Sequence, residues 1–338
     1  MINDIWIEID INQIKERYNK LKEFTKAQII PVIKNNANGL GFNAILEIYK
    51  SLGVSMVAAS YASEFYLKAK DDDIQKLAWI WSPTKKLLEV KNLILCCKDF
   101  EQLKFCIENK IPYHLIFNIG MNRGGFLIED LKQIELLINP NKNIVVATHC
   151  PYENKRKIIN VYRKNLNNLI NYICFNTNLT ISFIHAANSC VFRTDPACHF
   201  DGVRLGEALL LPNNDKFGLY NPFEIKTKIL HIMNLNRGDN IGYNISKVKA
   251  KKLKVGVIPV GYYNFDKIKG VLVKDTFCPV LAQMHDLSLI DISKVENVSK
   301  GNEVIIQNFL LSRSSNWNKC IQRTFKFNPD LINYKYKE

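Results

Sequence analysis

The chain has 338 residues, with 46 Lys and Arg against 32 Asp and Glu, 47% hydrophobic and 23% charged. That length suits one large domain and a smaller one, and the composition excludes a disordered chain or a fibrous repeat. The formal charge of +14 comes from Lys spread along the whole chain, without a basic face interleaved with aromatics, so no nucleic-acid partner is expected. No apolar run approaches the roughly 18 residues of a membrane helix. The opening MINDIWIEIDINQ carries acids where a secretory signal carries a basic end, so a cytoplasmic protein is expected. The nine cysteines show no C-x-x-C pair, and neither a disulfide nor a metal site is expected.

Apolar runs fall at 28–34, 54–60, 76–82, 92–98, 113–120, 143–150, 181–188 and 200–210. They are rich in β-branched and aromatic residues and lack clean alternation, as strands buried on both faces of a parallel sheet do. Helix-like segments lie between them. Residues 11–24 place Ile11, Ile14, Tyr18, Leu21 and Phe24 at helical spacing. Segments 42–51, 62–71, 99–109, 128–138 and 154–176 read similarly, and Asp99 is a candidate N-cap. Eight strands alternating with helices predict an α/β fold, a (β/α)8 TIM barrel, over residues 8–220. An open doubly wound sheet is the alternative, but no G-x-G-x-x-G follows the first strand. From 221 to 338 the runs are strand-like with turn signals between them, which predicts a mainly β C-terminal domain that residues 1–7 can join.

Chemistry in such a barrel sits at the C-terminal ends of the strands. Lys34 closes the first, and Asn118 and Arg123 follow the fifth. His149 ends the sixth, and Asn188 and Ser189 the seventh. Arg204 lies on the eighth, before Gly206 and Glu207. Each has a plain alternative: a solvated Lys34, a core His149, an Arg204 paired with Asp201, a turn at Gly206. Their gathering on one rim favours an anionic ligand. A partly desolvated strand-end lysine suits Schiff-base chemistry, and backbone N–H groups beside a glycine after strand eight suit a phosphate. Together they point to pyridoxal phosphate.

At these motifs the sequence resembles the alanine racemase family, fold-type III pyridoxal-phosphate enzymes. VIKNNANGLG at 32–41 is similar to the lysine-bearing motif, which puts Lys34 on the residue that carries the cofactor. GMNRGGF at 120–126 is similar to G-M-x-R-x-G-F, with Arg123 on the arginine that orients substrate. THC at 148–150 puts His149 where a histidine stacks on the cofactor ring. HAANS at 185–189 resembles H-x-A-N-S, so Ser189 falls on a phosphate contact, beside Asn188, and His185 on a histidine that buttresses an arginine. VRLGEAL at 203–209 resembles V-R-x-G, which places Arg204 facing the pyridine nitrogen and the backbone of Gly206 and Glu207 on the phosphate. In the β region Tyr243 falls on the catalytic tyrosine, Tyr262 on an entrance tyrosine and Met284 on a methionine that helps hold the substrate carboxylate.

The sequence also departs from the pattern. Asn38 stands where a tyrosine contacts phosphate, Ile116 where a lysine is often carbamylated, and Asn118 and His285 where aspartates are usual. The late phosphate-binding tyrosine has no clear match, with Gln322 as a candidate for its place. The resemblance implies a racemase of alanine, with Lys34 and Tyr243 as bases on opposite faces of the substrate and D-alanine supplied to peptidoglycan. It also implies a homodimer in which the tyrosine comes from the second subunit. A racemase of serine, ornithine or lysine is the alternative, as is a cofactor-binding homologue with little turnover.

Overall fold

The computed structural model describes residues 4–138, 143–151, 156–210, 222–243, 246–263, 265, 267–306 and 333–337. It divides into two compact units. One holds residues 15–37 and 41–211, the other residues 1–14, 38–40 and 212–338.

The first unit is built on eight parallel strands. They are β2 (Gln28–Pro31), β3 (Met56–Tyr61), β4 (Gln75–Ile80), β5 (Leu93–Cys97), β6 (Tyr113–Ile116), β7 (Asn143–Ala147), β8 (Thr180–His185) and β9 (Gly202–Leu205). From β3 to β9 each pairs with the next in the chain, and β9 pairs with β2. A bridge between Val32 and Ala58, with Ile33 N–H donating to Ala58 O at 2.8 Å, brings the two ends of the sheet together. The architecture is therefore a TIM-like barrel of eight strands with helices between them. Its interior is a packed core that includes Ile30, Ala58, Leu77, Ile94, Cys96, Ile116 and Ala147. Burial on both faces explains why the sequence shows solid apolar runs.

The predicted helices form with small shifts at their ends. Ala62–Lys68 is shorter than its periodic pattern, and a turn of 3-10 helix at Ile128–Asp130 precedes Leu131–Leu137. Asp99 caps Phe100–Glu108, its Oδ1 accepting from Gln102 N–H at 2.8 Å. After Lys34 the chain makes an unusual turn: Asn35, Asn36, Ala37 and Asn38 all have φ near +55°. Left-handed backbone costs L-residues roughly 1–2 kcal/mol each, and asparagine tolerates it best. The Asn-rich composition NNAN thus fits its conformation, with Ala37 as the strained member.

The second unit is mainly antiparallel. It contains β1 (Ile5–Asp10), β10 (Phe223–Lys228), β11 (His231–Asn236), β12 (Asn240–Ile241), β13 (Ser246–Lys247), β14 (Lys252–Ile258), β15 (Gly270–Val273), β16 (Thr276–Gln283), β17 (Ser288–Asp291), β18 (Glu303–Ile305) and β19 (Asn333–Lys337). Nine of these form one sheet in the order β11-β14-β17-β16-β15-β18-β10-β1-β19, and β12 pairs with β13. The N-terminal strand β1 pairs antiparallel with β10 and parallel with β19. Residues 211–221, around the expected boundary between the domains, and Gln322 lie outside the described residues.

Candidate active site

Arg204 organises the barrel rim. It sits on β9, only 6% exposed, and its guanidinium meets no carboxylate among the described residues. Nη1 donates to His185 Nδ1 at 2.5 Å and His185 O at 2.9 Å. Nη2 donates to Thr148 O at 2.7 Å and Ala186 O at 3.1 Å, and lies 3.5 Å from His149 Nδ1. The face of Trp79 lies 4.6 Å from the guanidinium carbon. Asp201 takes no part, since its Oδ2 accepts from Ile184 N–H at 2.8 Å. Burial lowers the guanidinium pKa to about 10, so it stays charged at neutral pH. Buried charge is tolerated only when its hydrogen bonds are satisfied, and four backbone and ring acceptors do that here.

The histidines around Arg204 are held neutral. His149 is pushed down to about 2, first by burial and then by the charges of Arg204, Arg123 and Lys34. Its ring meets Trp79 edge-on at 6.2 Å. His185 is also held well below its ordinary value by burial and Arg204. Lys34 lies three residues beyond β2, is exposed, and opens the left-handed turn.

A second group forms where β8 and β9 end. Asn188 caps the helix Ser189–Thr194, its Oδ1 accepting from Cys190 N–H at 3.0 Å and Val191 N–H at 3.1 Å. Its Nδ2 donates to Cys150 O at 2.9 Å, which fixes the loop after β7. The cap directs the next residue, Ser189, whose Oγ accepts from the N–H groups of Gly206 and Ala208, both at 3.2 Å. Glu207 opens the short helix Glu207–Leu210 between them. A Cβ on Gly206 would lie 3.2 Å from Val32 O and 3.3 Å from Val32 Cβ, so a glycine suits this close approach.

Arg123 lies in the loop after β6, exposed at the rim. Asn118 stiffens that loop: its Oδ1 accepts from Gly120 N–H at 3.1 Å and Asn122 N–H at 3.0 Å. Ile116 is packed in the barrel core.

The remaining predicted residues belong to the β unit. Tyr243 follows β12 and is 64% exposed. Tyr262 N–H donates to Met284 O at 2.8 Å, which brings those two together, and the Tyr262 ring meets His285 at 5.3 Å. Trp79, Lys98 and His114 were not singled out in the sequence. Each lies inside or at the end of an apolar run that reads as plain strand.

The barrel residues fit pyridoxal phosphate on two counts. Ser189 Oγ gathers the N–H groups of Gly206 and Ala208 where β8 and β9 end, a donor cradle that suits a phosphate. Arg204, a buried cation that cannot act as an acid at neutral pH, suits an unprotonated ring nitrogen. Lys34, exposed three residues beyond β2, carries a primary amine of the kind an aldehyde cofactor needs.

A TIM-like barrel followed by a mainly β unit is the architecture of the amino-acid racemases, isomerases, that this chain matches. Residues 9–213 match the family model described as alanine racemase, N-terminal domain, and residues 223–324 match alanine racemase, C-terminal domain. The chain belongs to the alanine racemase family.

An alanine racemase of Borreliella burgdorferi is 26% identical over 337 residues, covering 90% of this chain and 89% of its own. One from Clostridium tetani is 26% identical over 337 residues, covering 90% and 86%. Among solved structures, alanine racemase from D-cycloserine-producing Streptomyces lavendulae superposes with a TM-score of 0.83 at 16% identity, covering 100% of this chain and 98% of that one. The enzyme from Bacillus anthracis with bound L-Ala-P gives 0.80 at 19%, covering 100% and 96%. At these identities the two structures speak to fold.

Proposed function

We propose that this protein is a pyridoxal-phosphate-dependent racemase that interconverts L- and D-alanine. The observation that carries the reading is Arg204, buried without a carboxylate and held by His185 beside a serine and glycine donor cradle. When bound, pyridoxal phosphate draws electron density from the substrate and acidifies its Cα hydrogen. Lys34 would hold the cofactor covalently, and Ser189 with the backbone of Gly206 and Glu207 would hold its phosphate. His149 packs against its ring. His185 and Asn188 act one step back, the first by fixing Arg204 and the second by aiming Ser189.

Racemisation needs proton removal and return on opposite faces. Lys34 Nζ serves one face and Tyr243 Oη the other. Arg204, a cation at neutral pH, would be the partner of the ring nitrogen and would disfavour its protonation, and with it side reactions such as transamination. Arg123 would orient the substrate carboxylate, Met284 would help hold it, and Tyr262 would line the entrance. In this reading the barrel domain spans 8–220 and the β domain 221–338. Two chains form a homodimer in which Tyr243 serves the partner's barrel. The enzyme is cytoplasmic and supplies D-alanine to peptidoglycan. No helix of the described residues is long and apolar enough to cross a membrane.

The test is solvent deuterium incorporation during turnover of each alanine enantiomer. Two opposed bases predict that Tyr243→Phe slows proton exchange from one enantiomer far more than from the other. Equal slowing of both would overturn the two-base assignment.

A further inference from the structure

Lys98 is the residue after β5. It lines a small pocket together with Arg123, Trp79, Asn118, Thr148 and His149. Its stem runs along the backbone of Gly124, where a Cβ would stand 3.6 Å from Lys98 Cδ. Gly124 has a φ of +90°, so the loop both turns and leaves room for the lysine there. Lys98 and Arg123 therefore reach the same pocket from neighbouring strands.

Neither cation has an ion-pair partner among the described residues. Among the described residues the pocket lining contains no carboxylate. The nearby acid, Asp99, uses its Oδ1 to cap a helix through Gln102 N–H. Burial, together with the charge of Arg123, lowers the Lys98 pKa. Two like charges sharing a partly desolvated pocket repel each other unless an anion joins them. A fixed pair of this kind attracts a carboxylate and repels a third cation.

We infer that Lys98 joins Arg123 as a second cationic clamp on the substrate carboxylate, and that the pair selects amino acids with neutral side chains against those with a second ammonium group. This inference rests on the racemase reading and narrows it: alanine and serine fall inside the class, ornithine and lysine outside it. Lys98 contributes to binding and selection and moves no proton.

The experiment compares wild type with Lys98→Met, Lys98→Arg and Lys98→Glu. Steady-state kinetics use L-alanine and L-ornithine. Calorimetry measures propionate, which is alanine without its amine, on protein with and without cofactor. Lys98→Met is expected to raise the KM for alanine and weaken propionate about tenfold with little change in kcat, the size of one charge-assisted hydrogen bond. Lys98→Arg should restore both, and Lys98→Glu should shift the alanine-to-ornithine preference toward ornithine by about 100-fold.

Unchanged propionate affinity and alanine KM in Lys98→Met would overturn the inference, as would wild-type turnover of ornithine ahead of alanine. If wild type racemises nothing, the racemase reading fails by itself. The propionate titration then still decides whether Lys98 binds a carboxylate.

Discussion

Arg204 Nη1 and His185 Nδ1 lie 2.5 Å apart, and the direction of that bond fixes two proton positions. A guanidinium only donates, so His185 Nδ1 accepts and its proton sits on Nε2. That Nε2 lies 3.0 Å from His114 Nδ1, which must then accept in turn. Both imidazoles are neutral Nε2–H tautomers, and a line of directed bonds runs from β9 through β8 to β6. Nitrogen NMR of histidine-labelled protein checks this directly. Nδ1–H signals for either residue at neutral pH would refute it.

Removing that acceptor has a cost. His185→Phe deprives a buried guanidinium nitrogen of its ring partner, and an unsatisfied buried polar group costs about 1–3 kcal/mol. Chemical denaturation of the protein without cofactor should show a loss in that range. A loss near zero would mean that Arg204 finds another acceptor.

Acid should destabilise the fold. His114 is held down to about 3 by burial and Arg204, and His149 to about 2. An unfolded histidine takes a proton near pH 6.5. Below that value the unfolded chain binds protons that the native chain refuses, so stability falls with pH. The loss begins near 6.5 and continues toward 3, at up to about 1.4 kcal/mol per pH unit for each such histidine. Melting curves at pH 7, 6 and 5 should decline steadily, and His114→Gln should flatten the decline. A melting temperature that is flat across this range would contradict the buried neutral assignment.

The donor cradle gives a cofactor prediction. Ser189→Ala removes one hydroxyl and should weaken pyridoxal phosphate about tenfold. Gly206→Ala pushes a methyl group toward Val32 and should weaken it at least as much. A fluorescence titration of the cofactor-free protein measures both. Unchanged affinity in the two variants would place the phosphate elsewhere.

Shared active sites predict complementation. Lys34→Ala and Tyr243→Phe homodimers should each be inactive. Mixed chains should regain about a quarter of the wild-type activity, because half the dimers are mixed and each has one intact site. No recovery would argue against a tyrosine supplied by the partner.

The barrel could be read from sequence because buried parallel strands leave unbroken apolar runs, and the rim because polar residues interrupt those runs at their ends. His149, Ser189 and Arg204 stood out for that reason. Lys98 did not, because a lysine closing NLILCCK looks like the solvated end of a strand. Only the fold shows that its stem turns along Gly124 into the pocket of Arg123. His114 was hidden inside YHLIFNIG, since a buried histidine on a strand looks like core until its ring partner across the sheet is known. The left-handed turn after Lys34 left a compositional trace in NNAN, but asparagine also marks ordinary turns.

Racemisation of alanine is tested most directly by a chiral assay of purified protein with added pyridoxal phosphate. The panel is L-alanine, L-serine, L-ornithine and L-lysine. Rapid conversion of L- to D-alanine is expected, with slower conversion of serine and neglect of the two diamino acids. Preferred conversion of ornithine or lysine, or no conversion while Lys34 still binds the cofactor, would contradict it.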